Sequence, residues 1–289
     1  GTLQAMGDSK HPLYYLIVSS IINVVMDLVL IVVFDMGVGS AAFATILSQF
    51  ISAALCMRKL MKTQDSYRLV IKDIRFHKDM LIKIIRYGLP SGLQNSIIAI
   101  ANVVVQSNIN AFGEMAMAGC GAYSKIEGFA FLPITSFTMA LTTFVGQNLG
   151  AKDFERTKKG AKFGMLCSMT LAEVIGILMF IAAPILIAAF NNQPEVVQFG
   201  TDRARTSALF FFLLAYSHCI SAILRGAGKS LVPMIVMLVF WCVVRVSFLT
   251  IMSWFINDIA IVYWVYPLTW SLSSITFLIY YKKADWMKA

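Results

Sequence analysis

LRGAGKSLVP, residues 224–233, contains Gly-Lys-Ser, the tail of a phosphate-binding loop, lying between two long apolar runs. Such a loop needs a second glycine five positions before the Gly of that triplet, so that backbone N–H groups can wrap the phosphates. That position is Ile223, in a hydrophobic run, so ATP chemistry is excluded. The stretch has an echo instead. LQAMGDSKHP, residues 3–12, repeats it at an offset of 221: Leu3 matches Leu224, Gly7 matches Gly228, Ser9 matches Ser230 and Pro12 matches Pro233. Carried through Phe34, the alignment holds eight identities in 32 positions, and Gly-x-Ser-x-x-Pro is its informative skeleton. It spells a tight turn followed by Pro at a helix start, where the missing N–H costs nothing.

Both copies open long apolar runs. Hydrophobic residues make up 58% of the 289 and charged residues 13%, against about 45–50% and 25% in soluble domains. Runs of roughly 20 apolar residues are long enough to cross about 30 Å of hydrocarbon. The sequence predicts an all-α polytopic membrane protein with eight spans, near 12–34, 38–60, 88–112, 117–142, 161–183, 200–223, 232–255 and 259–281. The net charge of +9 is a topology signal and does not indicate nucleic acid. Of the 24 Lys and Arg, 20 fall on one side of the eight-span arrangement, from Lys10 to Lys288. The opposite connections, Asp35–Val38, Gly113–Ala116, Asn191–Gly200 and Asn257–Ile259, hold none, and Arg203 and Arg205 are expected just beyond them. The positive-inside rule makes the basic side, with the C-terminus, cytoplasmic. The five cysteines have no metal or disulfide spacing.

Because both copies of the repeat enter the membrane from the same side, the repeat is parallel, as in transporters built from like-oriented halves. The second copy opens near Arg86–Pro90. Its counterpart would begin about 135 residues before Gly1, which is room for about four more spans. The expected organisation is therefore two helices of a first lobe (1–60), a cytoplasmic linker (61–87) and a six-helix second lobe (88–289). Within the linker, SYRLVIKDIRFHKDMLIKIIRYG (66–88) mixes basic and apolar residues and predicts an amphipathic surface helix, a solvated loop with a short helix being the alternative.

GLPSGLQNSI (88–97), YSKIEGFAFLPI (123–134), FVGQNLGAKDFERTKKGA (144–161) and LRGAGKSLVPM (224–234) resemble the second half of a multidrug and toxic compound extrusion (MATE) transporter. LQAMGDSKHPLYY (3–15) resembles the start of that family's fifth helix. The resemblance implies part of a twelve-helix, two-lobe bundle of the MOP superfamily, and an antiporter that expels amphipathic or cationic compounds in exchange for H⁺ or Na⁺.

A charge at the bilayer centre costs about 2.5–3.5 kcal/mol on insertion scales. Asp27, Lys125, Glu127, Glu173 and Arg245 fall inside spans, so they must be paired, protonated or turned toward a wet cavity. Glu127 is the leading cation-coupling candidate, with Asp27 and Glu173 behind it. Tyr123 lies one turn before Glu127 and Phe131 one turn after, on one face. A carboxylate flanked by rings can hold a proton, Na⁺ or an organic cation; an internal ion pair is the alternative. Asn95, Asn102 and Gln106 belong to a polar stripe on the third span, and with Tyr123, Phe131 and Arg245 they are candidates to line a substrate cavity. That span has no acid between Gly88 and Phe112, whereas some members of the resembled family carry a Glu there. Pro133 removes a backbone bond and permits a kink. Gly146 and Gly150 would allow a tight exit from the fourth helix. His218 stands alone in its span.

No catalytic constellation or metal-ligand spacing is present in the sequence. A transporter without catalytic residues or cofactor is expected, its partners being small amphipathic or cationic molecules and the lipid bilayer. It would act as a monomer in a bacterial plasma membrane. One alternative is a lipid-linked oligosaccharide flippase, which would want a basic cavity; Lys125 and Arg245 are the only interior bases this reading finds. Another is a membrane scaffold without transport.

Overall fold

The computed structural model describes residues 1–37 and 39–287. Val38, expected at the start of the second span, and Lys288, counted on the basic side, lie outside the described residues. Every regular element among the described residues is helical. Helices α1 (Lys10–Val33), α2 (Gly39–Lys62), α3 (Lys78–Asn110), α4 (Glu114–Gly150) and α5 (Phe154–Ala188) are each long and apolar enough to cross a membrane. Next, α6 (Pro194–Ala208) and α7 (Phe211–Gly226) are long and apolar enough only together, as a pair bent by 57°, and α8 (Leu231–Phe255) and α9 (Ala260–Lys283) follow. With that pair counted as one, the eight expected spans are present. Val32, Val33, Ile185, Trp254 and Phe255 are each at least 71% exposed. In water such faces would associate; hydrocarbon accepts them, and the helices satisfy their own backbone.

The chain forms two compact units, Gly1–His77 and Lys78–Ala289. In the first, α1 and α2 meet along a polar seam. Ser19 Oγ donates to the Ser48 carbonyl at 2.7 Å, and Asn23 Nδ2 donates to Thr45 Oγ1 at 3.4 Å. Ahead of α1, Gly7 takes φ +85° and the Asp8 N–H closes on the Leu3 carbonyl at 2.9 Å. The second unit repeats this turn. Gly228 takes φ +76°, and the Lys229 N–H closes on the Leu224 carbonyl at 2.8 Å. Glycine supplies the left-handed residue that ends the preceding helical turn, a conformation strained for a side chain with Cβ.

Interval 61–87 is not an amphipathic surface helix. α2 continues to Lys62, a single 3₁₀ turn stands at Ile71–Asp73, and α3 already begins at Lys78. At about 1.5 Å per residue α3 reaches roughly 50 Å, well beyond about 30 Å of hydrocarbon. Its basic first turns therefore reach water by projecting from the span, with no need to lie flat on it.

In the second unit α4 is central and packs on α5, α6 and α7, while α8 packs on α3 and α9. Buried serines join the helices: Ser217 Oγ lies 3.0 Å from Ser273 Oγ and 2.9 Å from Ser274 Oγ, and Trp241 Nε1 donates to Ser273 Oγ at 3.2 Å. Such bonds hold helices together where apolar burial cannot discriminate. The basic connections meet at one end, around a cavity of about 850 Å³ lined by Tyr87, Lys152, Phe154, Arg225, Gly228 and Met287.

One local expectation is corrected. The exit from α4 uses Lys152, at φ +61°, as its left-handed residue, while Gly150 is still helical. The Asp153 N–H returns to the Asn148 carbonyl at 2.9 Å, and the Asp153 side chain caps α5 by accepting from the Arg156 N–H at 3.0 Å. These bonds offset the strain at a residue with Cβ. Pro133 sits inside helix α4; a bend of 57° falls between Ala208 and Phe211. No Gly or Pro occurs at that bend; α5 shapes it from outside. A Cβ at Gly176 would collide with the Ala208 carbonyl oxygen. One turn earlier, Glu173 Oε2 accepts the Phe212 N–H at 3.2 Å, satisfying a donor at the open start of α7.

Candidate functional site

Within the second unit a cavity of about 250 Å³ is walled by α3, α4, α6 and α9, through Asn102, Gln106, Ser124, Glu127, Arg203 and Tyr266. Tyr123 and Glu127 are four apart on α4, so the helical period stacks them on one face. The Tyr123 hydroxyl donates to Glu127 Oε1 at 3.0 Å. Above the same tyrosine ring lies Arg203, its guanidinium carbon 5.0 Å from the ring centre and 5.3 Å from that of Tyr266. Arg203 Nη2 donates to the Tyr266 hydroxyl at 3.4 Å. Tyr123 thus stands between the acid and the base, bonding one through its hydroxyl and the other through its π face. No Arg or Lys nitrogen lies within 4.0 Å of the Glu127 carboxyl among the described residues, where the ion pairs are His11–Asp8 and Lys159–Glu155.

Arg245, on α8, is the largest fully buried side chain, at 1% exposure. Its guanidinium carbon lies 4.6 Å from the Tyr266 ring centre and 5.2 Å from that of Trp241, and Nη2 donates to Thr269 Oγ1 at 2.9 Å. It packs against the Tyr266 ring and stands outside the cavity lining. Two guanidiniums therefore contact one aromatic ring beside a single carboxyl.

The other candidates are dispersed. Asn95 is exposed and outside the lining, and Lys125 is exposed on α4. Phe131 packs edge-on against His218 at 5.0 Å, and His218 in turn meets Trp241 at 5.3 Å. Glu173 lies at the bend, bonded to the backbone of α7. In the other unit, Asp27 continues the α1 face of Ser19 and Asn23, its Oδ1 buried with no hydrogen-bond partner among the described residues.

The sequence reading missed Arg203, which it put at a span edge. α6 begins at Pro194, a proline at a helix start, which carries Arg203 about 14 Å along the helix axis. Arg205 takes a separate place, 5.5 Å over the Phe180 ring. Tyr266 was hidden among the aromatic residues of YWVYPLTW (263–270).

Helical spans in series with a charged cavity inside the second unit define a polytopic helical membrane protein. The MatE family profile matches residues 90–251, more than half of the chain, and the chain belongs to this family. It is 25% identical over 288 residues to the probable multidrug resistance protein YoeA of Bacillus subtilis, covering 97% of this chain and 62% of that protein. To the probable multidrug resistance protein NorM of Thermotoga maritima it is 26% identical, covering 81% and 51%. The chain thus spans between half and two-thirds of the length of these relatives. Among solved structures, a MOP superfamily transporter from Pyrococcus furiosus shares the fold with a TM-score of 0.91 at 22% identity, over 99% of this chain and 65% of that one.

Proposed function

We propose that the chain forms part of a secondary antiporter that exports small amphipathic molecules in exchange for H⁺ or Na⁺ by alternating access. Glu127 takes the coupling ion, and the basic end faces the cytoplasm of a bacterial plasma membrane. The observation that carries this reading is the Glu127 carboxyl, bonded to Tyr123 and lining a cavity inside a lipid-embedded bundle of the MatE family. An intramembrane acid that opens on a cavity and lacks a direct ion pair can exchange a cation without breaking a structural bridge. Arg203, on the near side of the bent span, is close enough to feel that exchange. Ion and substrate must bind the two access states unequally, or nothing is pumped.

The test is transport by the full-length protein in proteoliposomes under an imposed pH or Na⁺ gradient, with norfloxacin and ethidium as probes. Gradient-driven movement of either probe is expected. A protein that reconstitutes and moves neither under either gradient would remove the antiporter reading.

A further inference from the structure

The charge inside the second unit runs opposite to what a site for cationic solutes needs. Beside the single carboxyl of Glu127 lie two guanidiniums, Arg203 at 4% exposure and Arg245 at 1%. Neither has a carboxylate within 4.0 Å among the described residues. Arg203 uses Nη2 on Tyr266 and its face on Tyr123. Its Nε and Nη1, together with Nε of Arg245, are buried without a hydrogen-bond partner among the described residues. A buried charged donor left unpaired is costly, more so than a neutral one. The cation–π contacts offset part of that cost but leave the N–H groups unused.

The position of Arg203 shows what would use them. It lines the cavity beside Asn102 and Gln106, whose side-chain amides offer further donors, and Ser124, whose hydroxyl already donates to the Cys120 carbonyl at 2.9 Å. Tyr266 forms another part of the wall, and Arg245, bonded to Thr269, packs against its ring. Guanidinium matches carboxylate, sulfonate and phosphate, and stacked on aromatic rings it is already oriented. At about 250 Å³, the cavity is smaller than the roughly 300–1,000 Å³ usual for a drug-sized ligand. It fits a head group and leaves the apolar body outside.

We infer that this cavity is an anion subsite, in which Arg203 binds the carboxylate, sulfonate or phosphate group of an amphipathic organic anion and Arg245, against the Tyr266 ring, strengthens the field from outside the lining. Glu127 then has a second effect. As long as it is ionised it opposes the anion, and when it is neutralised the opposition falls, so its charge tunes the affinity of the subsite. The anion subsite does not rest on the antiporter reading above.

The experiment is equilibrium binding by calorimetry to the full-length protein in detergent, using two probes with the same aromatic body, 2-naphthoate and (2-naphthylmethyl)trimethylammonium. Naphthoate should bind about tenfold or more tightly than the ammonium probe. Arg203→Gln should weaken naphthoate about tenfold or more, as loss of a charged hydrogen-bonding partner does, and leave the ammonium probe within about twofold. Arg203→Lys should recover part of the loss, and Glu127→Gln should tighten naphthoate. The Lys and Glu127 variants supply the decision if Arg203→Gln fails to fold. Preference for the ammonium probe, naphthoate binding unchanged in both Arg203 variants, or naphthoate weakened by Glu127→Gln would each overturn the subsite. Naphthoate binding without gradient-driven transport would remove the antiporter and keep the subsite. Coupled transport with naphthoate indifferent to Arg203 would do the reverse.

Discussion

Glu127 and Glu173 are both half-buried acids inside span helices, on the neighbouring α4 and α5, and they are held in opposite ways. Glu127 bonds to a side chain, the Tyr123 hydroxyl, and opens on a cavity beside Arg203. Glu173 bonds to backbone, the Phe212 N–H, at the start of the second half of a bent span. A carboxyl whose partner is a backbone donor is part of the scaffold, because removing it leaves a helix terminus open. A carboxyl held by a neutral hydroxyl and facing a cavity can change its charge while the fold stays intact. The partner, more than depth in the membrane, separates the two roles.

The largest effect should come from Glu127→Gln. Gradient-driven norfloxacin flux is expected to fall by about a hundredfold or more, the scale on which loss of an essential proton-carrying group shows, with expression and thermal unfolding in detergent unchanged. Equal flux in variant and parent would erase the contrast between the two acids. Next is Gly176→Val, one turn beyond Glu173. The new side chain must displace the Ala208 carbonyl, so a loss of about 2–3 kcal/mol in unfolding stability is expected, as for overpacking elsewhere. Stability within about 0.5 kcal/mol of the parent would mean that α5 does not hold the bend. Third is Glu173→Ala, which leaves the Phe212 N–H unmatched and should cost about 1–2 kcal/mol while the response of flux to the gradient is retained. Loss of coupling without loss of stability would assign Glu173 to the cavity chemistry after all.

Much of this contrast was legible in the sequence where the determinants are local. Hydropathy found the spans, the Gly-x-Ser-x-x-Pro echo found two turns that share their left-handed glycine, and the helical period placed Tyr123 beside Glu127. The role of Glu173 was not legible, because the bend it caps lies in SALFFF (207–212), a run without Gly or Pro. The bend is shaped by Gly176 and Glu173 on another helix, about 35 residues away in sequence. Arg203 was displaced for a different reason. PEVVQFGTDRART (194–206) is too polar to read as a span, so hydropathy began the helix late. Pro194 marked the true start, and the polar face it introduces is the wall of the cavity. Where side chains serve a site, they obscure the apolar pattern by which a span is recognised.

The smallest effect is the sharpest comparison, since Gln can replace Glu at both sites without changing shape. At Glu127 the replacement removes the charge that the proposed coupling uses and is expected to abolish coupling. At Glu173 the amide oxygen can still accept the Phe212 N–H, so the open donor of α7 remains satisfied. What is lost is attraction between a negative charge and the positive end of a helix, worth about 0.3–1 kcal/mol. Glu173→Gln should therefore lie within about 0.5 kcal/mol of the parent in thermal unfolding, clearly above Glu173→Ala, with coupled flux unaffected. If Gln and Ala destabilise alike, the carboxyl acts at the bend through its charge, and the division between a charge-carrying acid and a scaffold acid fails on the scaffold side.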